Sequence, residues 1–363
     1  MGDDVYIRLR EFMNTLPAGY PSTPSGVEIR ILKKLFSPEE AELTMQLKNE
    51  PEEVPAIAAR LGVEEADLGQ RLEKMAQKGL IYRVRKENKA LYQAFQFMVG
   101  VYEFQVKNLD REFCQMFEEY LPHFGMSLMP LKTSQLRVIP VESAVKATPA
   151  VETYNRVREL VEGQKTFAVA PCICRKEQEL LGKKCDRPQE TCLGFGDFAQ
   201  FYIDNHWGRE ISKAEALKVL DLAEQSGLVL SPSNSQELTG ICCCCPCCCP
   251  ILKYAKLMPR PAGMVRSYYQ AQIAPELCST CGLCLERCQM AAIKKGEDSC
   301  QIIDGRCIGC GLCVSACPTE ALSMVKKLGM EPPPKDFLQD TLQRIRAERQ
   351  AIEIKKKGGV HKI

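Results

Sequence analysis

The chain has 363 residues, 45% hydrophobic and 26% charged, with a formal net charge of +2. This is the balance of a folded globular protein long enough for two or three compact domains, and it provides no global field for gripping nucleic acid or an anionic membrane. The composition departs from the ordinary in its 21 cysteines, a number compatible with either a disulfide framework or metal ligation.

Compartment and spacing separate those two. The run Met1-Gly2-Asp3-Asp4-Val5-Tyr6 lacks the basic and apolar segments of a secretory signal and the hydroxylated residue of a myristoylation signal. No apolar run is long enough to span a bilayer. The expectation is a cytoplasmic chain whose thiols stay reduced, and reduced thiols in clusters bind metal. Cys114 alone precedes residue 165, and all the others lie between Cys172 and Cys317. The predicted architecture is α+β and multidomain, with a metal-free front and a metal-rich back.

The front opens on turn-rich residues, Leu16 to Pro24. Ser37-Pro38-Glu39-Glu40 then starts a helix, with Ser37 as cap, Pro38 at the first helical position and Glu40 closing a capping box. Helices are predicted over 54–61, ended by Gly62, and over 64–78, with Leu68, Leu72 and Met75 on one face and Gly79 as the stop. Residues 80–84 and 90–95, joined by Arg85-Lys86-Glu87-Asn88-Lys89, suit a hairpin. This order resembles a winged helix-turn-helix over about residues 30–97, giving a winged-helix-like docking domain at 1–97. The resemblance suggests DNA, but the recognition-helix position carries Glu64, Glu65, Asp67 and Glu73 against Arg71, Lys74 and Lys78. A net negative helix is poorly matched to phosphates. Protein docking is the preferred reading, and the basic wing (Arg83, Arg85, Lys86, Lys89) keeps DNA as the alternative.

Residues 98–262 form the second predicted unit, an α+β domain with a cysteine-rich metal centre. Helices are expected over 112–120 and 151–162, strands over 135–141 and 166–170, a capped helix from Ser212 to Gly227, and a strand over 228–230. The candidate metal ligands here are Cys172, Cys174, Cys185, Cys192, Cys242, Cys244, Cys245, Cys247, Cys248 and Cys249. Neighbouring residues point their side chains in different directions, so the run Cys242 to Cys249 cannot converge on one cubane. The thiols suffice for one or two further iron–sulfur clusters or one bridged cluster; zinc or another soft metal, or free redox thiols, remain open. Arg175 and Lys176 are placed to offset thiolate charge. Gly194-Phe195-Gly196-Asp197-Phe198-Ala199 matches a dinucleotide fingerprint but follows cysteines, not an evident strand, and is set aside.

The third unit, 273–324, contains Cys278-x2-Cys281-x2-Cys284-x3-Cys288 and then Cys307-x2-Cys310-x2-Cys313-x3-Cys317-Pro318. Two-residue gaps curl the backbone so that three thiolates meet one cubane, while the fourth turns toward another. The pattern resembles the bacterial two-cluster [4Fe–4S] ferredoxins. That resemblance implies one cluster on Cys278, Cys281, Cys284 and Cys317 and another on Cys307, Cys310, Cys313 and Cys288. Gln289 departs from the family's proline. Zinc is the competing metal, but uninterrupted runs of four are the cluster pattern. Cys300, between the halves, is expected to be a buried spare thiol.

A proline spacer, Pro332-Pro333-Pro334, leads to a helical basic tail (325–363) with Leu338, Leu342, Ile345 and Ile352 as its stripe. The whole layout resembles a group of anaerobic 4Fe-4S binding proteins. The implied function is electron transfer to or from a partner oxidoreductase, such as a flavoprotein, with nucleic acid and membrane surface disfavoured as partners. No acid–base pair or nucleophile marks a catalytic residue. The alternatives are a redox-sensing winged-helix regulator and a reductase whose active site is the middle cysteine centre.

Overall fold

A computed structural model of the chain describes residues 4–87, 89–146 and 151–359. The front begins with helices α1 (Asp4–Thr15), α2 (Val27–Leu35) and α3 (Pro38–Met45). The expected capping box is present: Glu40 N–H donates to Ser37 Oγ at 3.2 Å, and Ser37 N–H donates to Glu40 Oε2 at 2.9 Å. Strand β1 (Glu52–Glu53), helices α4 (Val54–Leu61) and α5 (Glu65–Gln77) and the hairpin β2 (Tyr82–Lys86) and β3 (Lys89–Gln93) follow, with strand order β1-β3-β2. Three of the four basic side chains of the hairpin are engaged within the chain. Arg83 is paired with Glu73 and Asp204, Arg85 with Asp204 and Lys89 with Glu53.

Packing does not break at residue 97. The aromatic stretch continues into helix α6 (Arg111–Leu128), capped by Asp110. One core runs from Val5 to Phe124 and takes in Phe201 and Trp207 from the middle of the chain. Phe201 meets Tyr82 and Phe104 edge-on, each with ring centroids 5.0 Å away.

Residues 135–141, expected as a strand, make only isolated bridges to Ser233, Ser267 and Leu230. Short helices α7 (Glu142–Lys146) and α8 (Val157–Glu162) lead into strand β4 (Phe167–Pro171), helix α9 (Ile173–Leu180), strand β5 (Glu190–Phe195), helix α10 (Gly196–Asp204), strand β6 (Arg209–Glu210), helix α11 (Lys213–Gln225), strands β7 (Val229–Pro232) and β8 (Gly240–Cys244), and helix α12 (Pro250–Leu257). The sheet order is β6-β4-β5-β8-β7, with every pairing antiparallel. The G-x-G-x-x-A run therefore does join a strand to a helix, contrary to the reading above. Its strand has antiparallel neighbours, however, and a dinucleotide fold needs a parallel crossover. Its Gly194 instead lets α10 approach, since an added Cβ would sit 3.4 Å from Ala199 Cα.

The last region has strand β9 (Tyr269–Ile273), helix α13 (Leu283–Arg287), the pair β10 (Ile293–Lys295) and β11 (Cys300–Ile302), and β12 (Leu322–Lys326), which returns to β9. This region shares one core with the five-stranded sheet. Arg306 donates to the carbonyls of Lys256 and Met258 at 3.1 and 3.0 Å, and Val141 N–H donates to Cys310 O at 3.1 Å. The proline spacer is also held, because Gln236 N–H donates to Pro334 O at 2.7 Å. Helix α14 (Leu342–Gly359) buries Leu342 and Ile345 and lies against the front, where Arg349 donates to Ala18 O at 2.6 Å. No described helix is long and apolar enough to cross a membrane.

Candidate metal centres

The local spacing of the C-terminal cysteines produces two cavities. The first is lined by Cys278, Cys281, Cys284 and Cys317, with Cys300 beside them. The second is lined by Cys288, Cys307, Cys310 and Cys313. Each cavity thus takes three thiols from one run and the fourth from the other. The first opens outward: Cys281 is exposed, and beside it stand the exposed side chains of Leu277 and Leu283. The second faces helix α7, with Gly311 so close that an added Cβ would lie 2.5 Å from Ala144 Cβ.

Backbone amides are aimed at several of these sulfurs. Cys300 N–H donates to Cys278 Sγ at 3.4 Å, Ala292 N–H to Cys288 Sγ at 3.2 Å, and Ala271 N–H to Cys307 Sγ at 3.3 Å. The Cys300 amide holds the Cys278 thiol below its usual value, whereas burial pushes Cys284 and Cys310 up to about 12. These amides favour the thiolate, the form that binds metal. Cys300 is buried as expected, but it lines the first cavity and its thiol contacts those of Cys278 and Cys284. Gln289 lines the second cavity, with its amide near Gly227.

The ten cysteines expected as ligands in the middle region divide into two groups. Cys242 and Cys244 lie on one face of β8, since side chains alternate along a strand. Cys192 is the cross-strand partner of Cys242. Cys172 and Cys249 occupy the N-cap positions of α9 and α12, and Cys174 lies in the first turn of α9. These six thiols are hydrogen-bonding neighbours in a line: Cys172 to Cys174, Cys174 to Cys249, Cys249 to Cys244, Cys244 to Cys242 and Cys242 to Cys192. As thiols they alternate. Those of Cys172, Cys242 and Cys249 are held below the usual value by the S–H groups beside them, while Cys174, Cys192 and Cys244 are held above it. Cys185, Cys245, Cys247 and Cys248 form a separate group. Cys243 takes the opposite face of β8 and is buried in the core, where desolvation raises its thiol.

Arg175 is 3% exposed. Its guanidinium donates to Pro188 O at 2.9 Å, to Cys243 O at 3.1 and 3.0 Å and to Thr191 Oγ1 at 2.5 Å. Burial works against its charge, but thiolate charge at Cys172, Cys245, Cys244 and Cys185 outweighs burial and keeps the guanidinium above its ordinary value. One buried cation therefore serves both thiol groups. Lys176 instead donates to Val106 O at 2.5 Å, on the front core.

Residue types alone did not reveal two carboxyls close to the six-thiol group. Glu103 is pushed up to about 8 by burial, with the Gly100 N–H opposing and the charges of Cys242 and Cys249 adding. Glu177, 1% exposed, is pushed up to about 7 by burial. Its Oε2 accepts from Tyr102 Oη at 2.7 Å, and its Oε1 has no hydrogen-bond partner. Glu103 sat in a stretch read as core, and nothing in the local pattern distinguished it.

The chain matches the 4Fe-4S binding domain family over residues 301–323. No curated protein and no solved structure matches it. The C-terminal region is thus of iron–sulfur ferredoxin type, a metal-binding region with the capacity for electron transfer. The donor set fits that cofactor: the second cavity presents four cysteine sulfurs, and the first presents the four of the two runs with Cys300 as a fifth.

Proposed function

We propose that the chain is an electron-transfer protein or subunit that relays electrons to or from a partner oxidoreductase. The carrying observation is the pair of cavities in which three thiols of one run meet the fourth of the other. On this reading Cys278, Cys281, Cys284 and Cys317 hold one [4Fe–4S] cluster, and Cys307, Cys310, Cys313 and Cys288 hold a second. Such clusters supply one-electron couples whose potentials follow hydrogen bonds to sulfur and exposure to solvent. The amides of Cys300, Ala292 and Ala271 draw charge from three of the thiolates. Cys281, with Leu277 and Leu283, offers an exposed apolar corner where a redox partner such as a flavoprotein approaches. The second cavity lies on the inner side, toward the middle region.

The six-thiol group is the third redox centre on this reading, a polynuclear iron–sulfur site that extends the relay. The reductase alternative draws on Glu103, Glu177 and Tyr102, which place exchangeable protons around that group as two-electron chemistry requires. The DNA-binding alternative draws little, because Arg83, Arg85 and Lys89, three of the wing's four basic residues, are paired with acids of the same chain.

The test is iron and acid-labile sulfide per chain in anaerobically purified protein, with electron paramagnetic resonance after reduction. Cys281→Ser is expected to alter one reduced-cluster signal and Cys307→Ser another. If zinc occupies these cavities, or if both variants leave the spectrum unchanged, the proposal fails. Cys192→Ser with Cys242→Ser in the full chain decides the third centre: iron and sulfide unchanged from the parent remove it.

A further inference from the structure

Cys185 lies in the loop between α9 and β5, and Cys245, Cys247 and Cys248 lie in the turn between β8 and α12. Their sulfurs all lie within 4.8 Å of one another. Cys185 Sγ is 3.9 Å from Cys245 Sγ and 3.6 Å from Cys247 Sγ, and Cys247 Sγ is 3.8 Å from Cys248 Sγ. The other three pairs, Cys185–Cys248, Cys245–Cys247 and Cys245–Cys248, are also hydrogen-bonding neighbours. Every edge of a four-cornered figure is a short sulfur–sulfur contact.

That spacing distinguishes kinds of metal centre. A single tetrahedral ion with metal–sulfur bonds of about 2.3 Å holds its sulfurs about 3.8 Å apart. A cubane spreads its four thiolates over four separate irons and so keeps them farther apart. The six-thiol group next to it shows the contrast, with contacts that run in a line and no closed figure.

We propose that Cys185, Cys245, Cys247 and Cys248 bind one zinc(II) ion as a closed tetrathiolate, separate from every iron–sulfur centre of the chain. With all four positions filled by thiolate the ion has no place for water or substrate, so its role is to hold structure. It ties together two segments distant in sequence, the α9–β5 loop and the β8–α12 turn. These segments border the cysteines at the heads of α9 and α12. The buried Arg175 guanidinium offsets the net negative charge of a divalent ion on four thiolates.

The experiment uses the full chain, purified anaerobically and analysed for zinc, iron and acid-labile sulfide. One zinc per chain is expected. It is lost in Cys185→Ser/Cys247→Ser with iron and sulfide unchanged. X-ray absorption at the zinc edge is expected to give four sulfurs at about 2.3 Å and no short metal–metal distance. Loss of several irons together with sulfide in the double variant makes the site a cluster and overturns the proposal. Loss of no metal makes the four thiols free and also overturns it. Loss of one iron without sulfide overturns the zinc assignment. Where the double variant does not fold, Cys247→Ser alone, at an exposed position, and the absorption spectrum of the unaltered chain give the same decision.

Discussion

Glu177→Gln gives the sharpest test of the buried polar network beside the thiols. The carboxyl is raised from 4.5 to about 7, chiefly by burial, with Glu118 adding and the Tyr102 hydroxyl, Lys253 and Lys183 opposing. A folded-state value above the unfolded one means that the native chain binds the extra proton between those two values. The group's contribution to stability is therefore fully present below about pH 4.5 and is lost as pH rises through about 7. The full gap corresponds to about 3 kcal/mol. Glutamine is neutral at every pH and can still accept from Tyr102 Oη. The variant is thus expected to match the parent below about pH 4.5 and to exceed it at pH 8.5, by up to about 3 kcal/mol. Anaerobic urea unfolding followed through Trp207, the single tryptophan, measures this across the window. A variant less stable than the parent at pH 8.5, or a difference independent of pH, would refute the reasoning, because Glu177 would then be a paired carboxylate.

Three more outcomes follow from particular contacts. Arg175→Met strips donors from the buried Cys243 carbonyl and Thr191 hydroxyl, each costing about 1–3 kcal/mol, and from the partly buried Pro188 carbonyl. It is expected to lower the unfolding midpoint and the metal content of the middle region together, and unchanged metal content counts against the shared role of the cation. Phe201→Ala removes a ring that is 1% exposed and packed on Tyr82, Phe104 and Trp207. It should cost about 3–5 kcal/mol, read in the same unfolding assay. Gly309 has φ +70°, and an added Cβ would fall on the Tyr269 carbonyl. Gly309→Ala is expected to deplete iron from the second cavity while leaving the Cys278, Cys281, Cys284 and Cys317 set loaded, which iron analysis and paramagnetic resonance distinguish.

How far the sequence could be read depended on the range of the interactions involved. The helix at Ser37 was legible because a capping box involves four consecutive residues. The C-terminal cavities were equally legible, because gaps of two and three residues set where thiols point within a turn or two of chain. The run Cys242 to Cys249 was not legible in the same way. Identical residues carry no alternation of polarity, so neither the strand Gly240–Cys244 nor the turn of Cys243 to the opposite face, into the core, shows in the pattern. The aromatic stretch around residues 92–104 showed itself as core, but not that its partners are Phe201 and Trp207.

The sequence by itself determined the iron–sulfur character of the C-terminal region, the mixed α+β composition and the capped helices, all of which rest on local spacing. Only the tertiary structure decided that ten thiols divide into a line of six and a closed set of four. That division depends on β5 pairing with β8 and on a loop cysteine meeting a turn some sixty positions away. It likewise decided that Arg175 and Glu177 are buried near those thiols. Burial and long-range convergence belong to the order of strands in the sheet, which no run of neighbouring residues encodes.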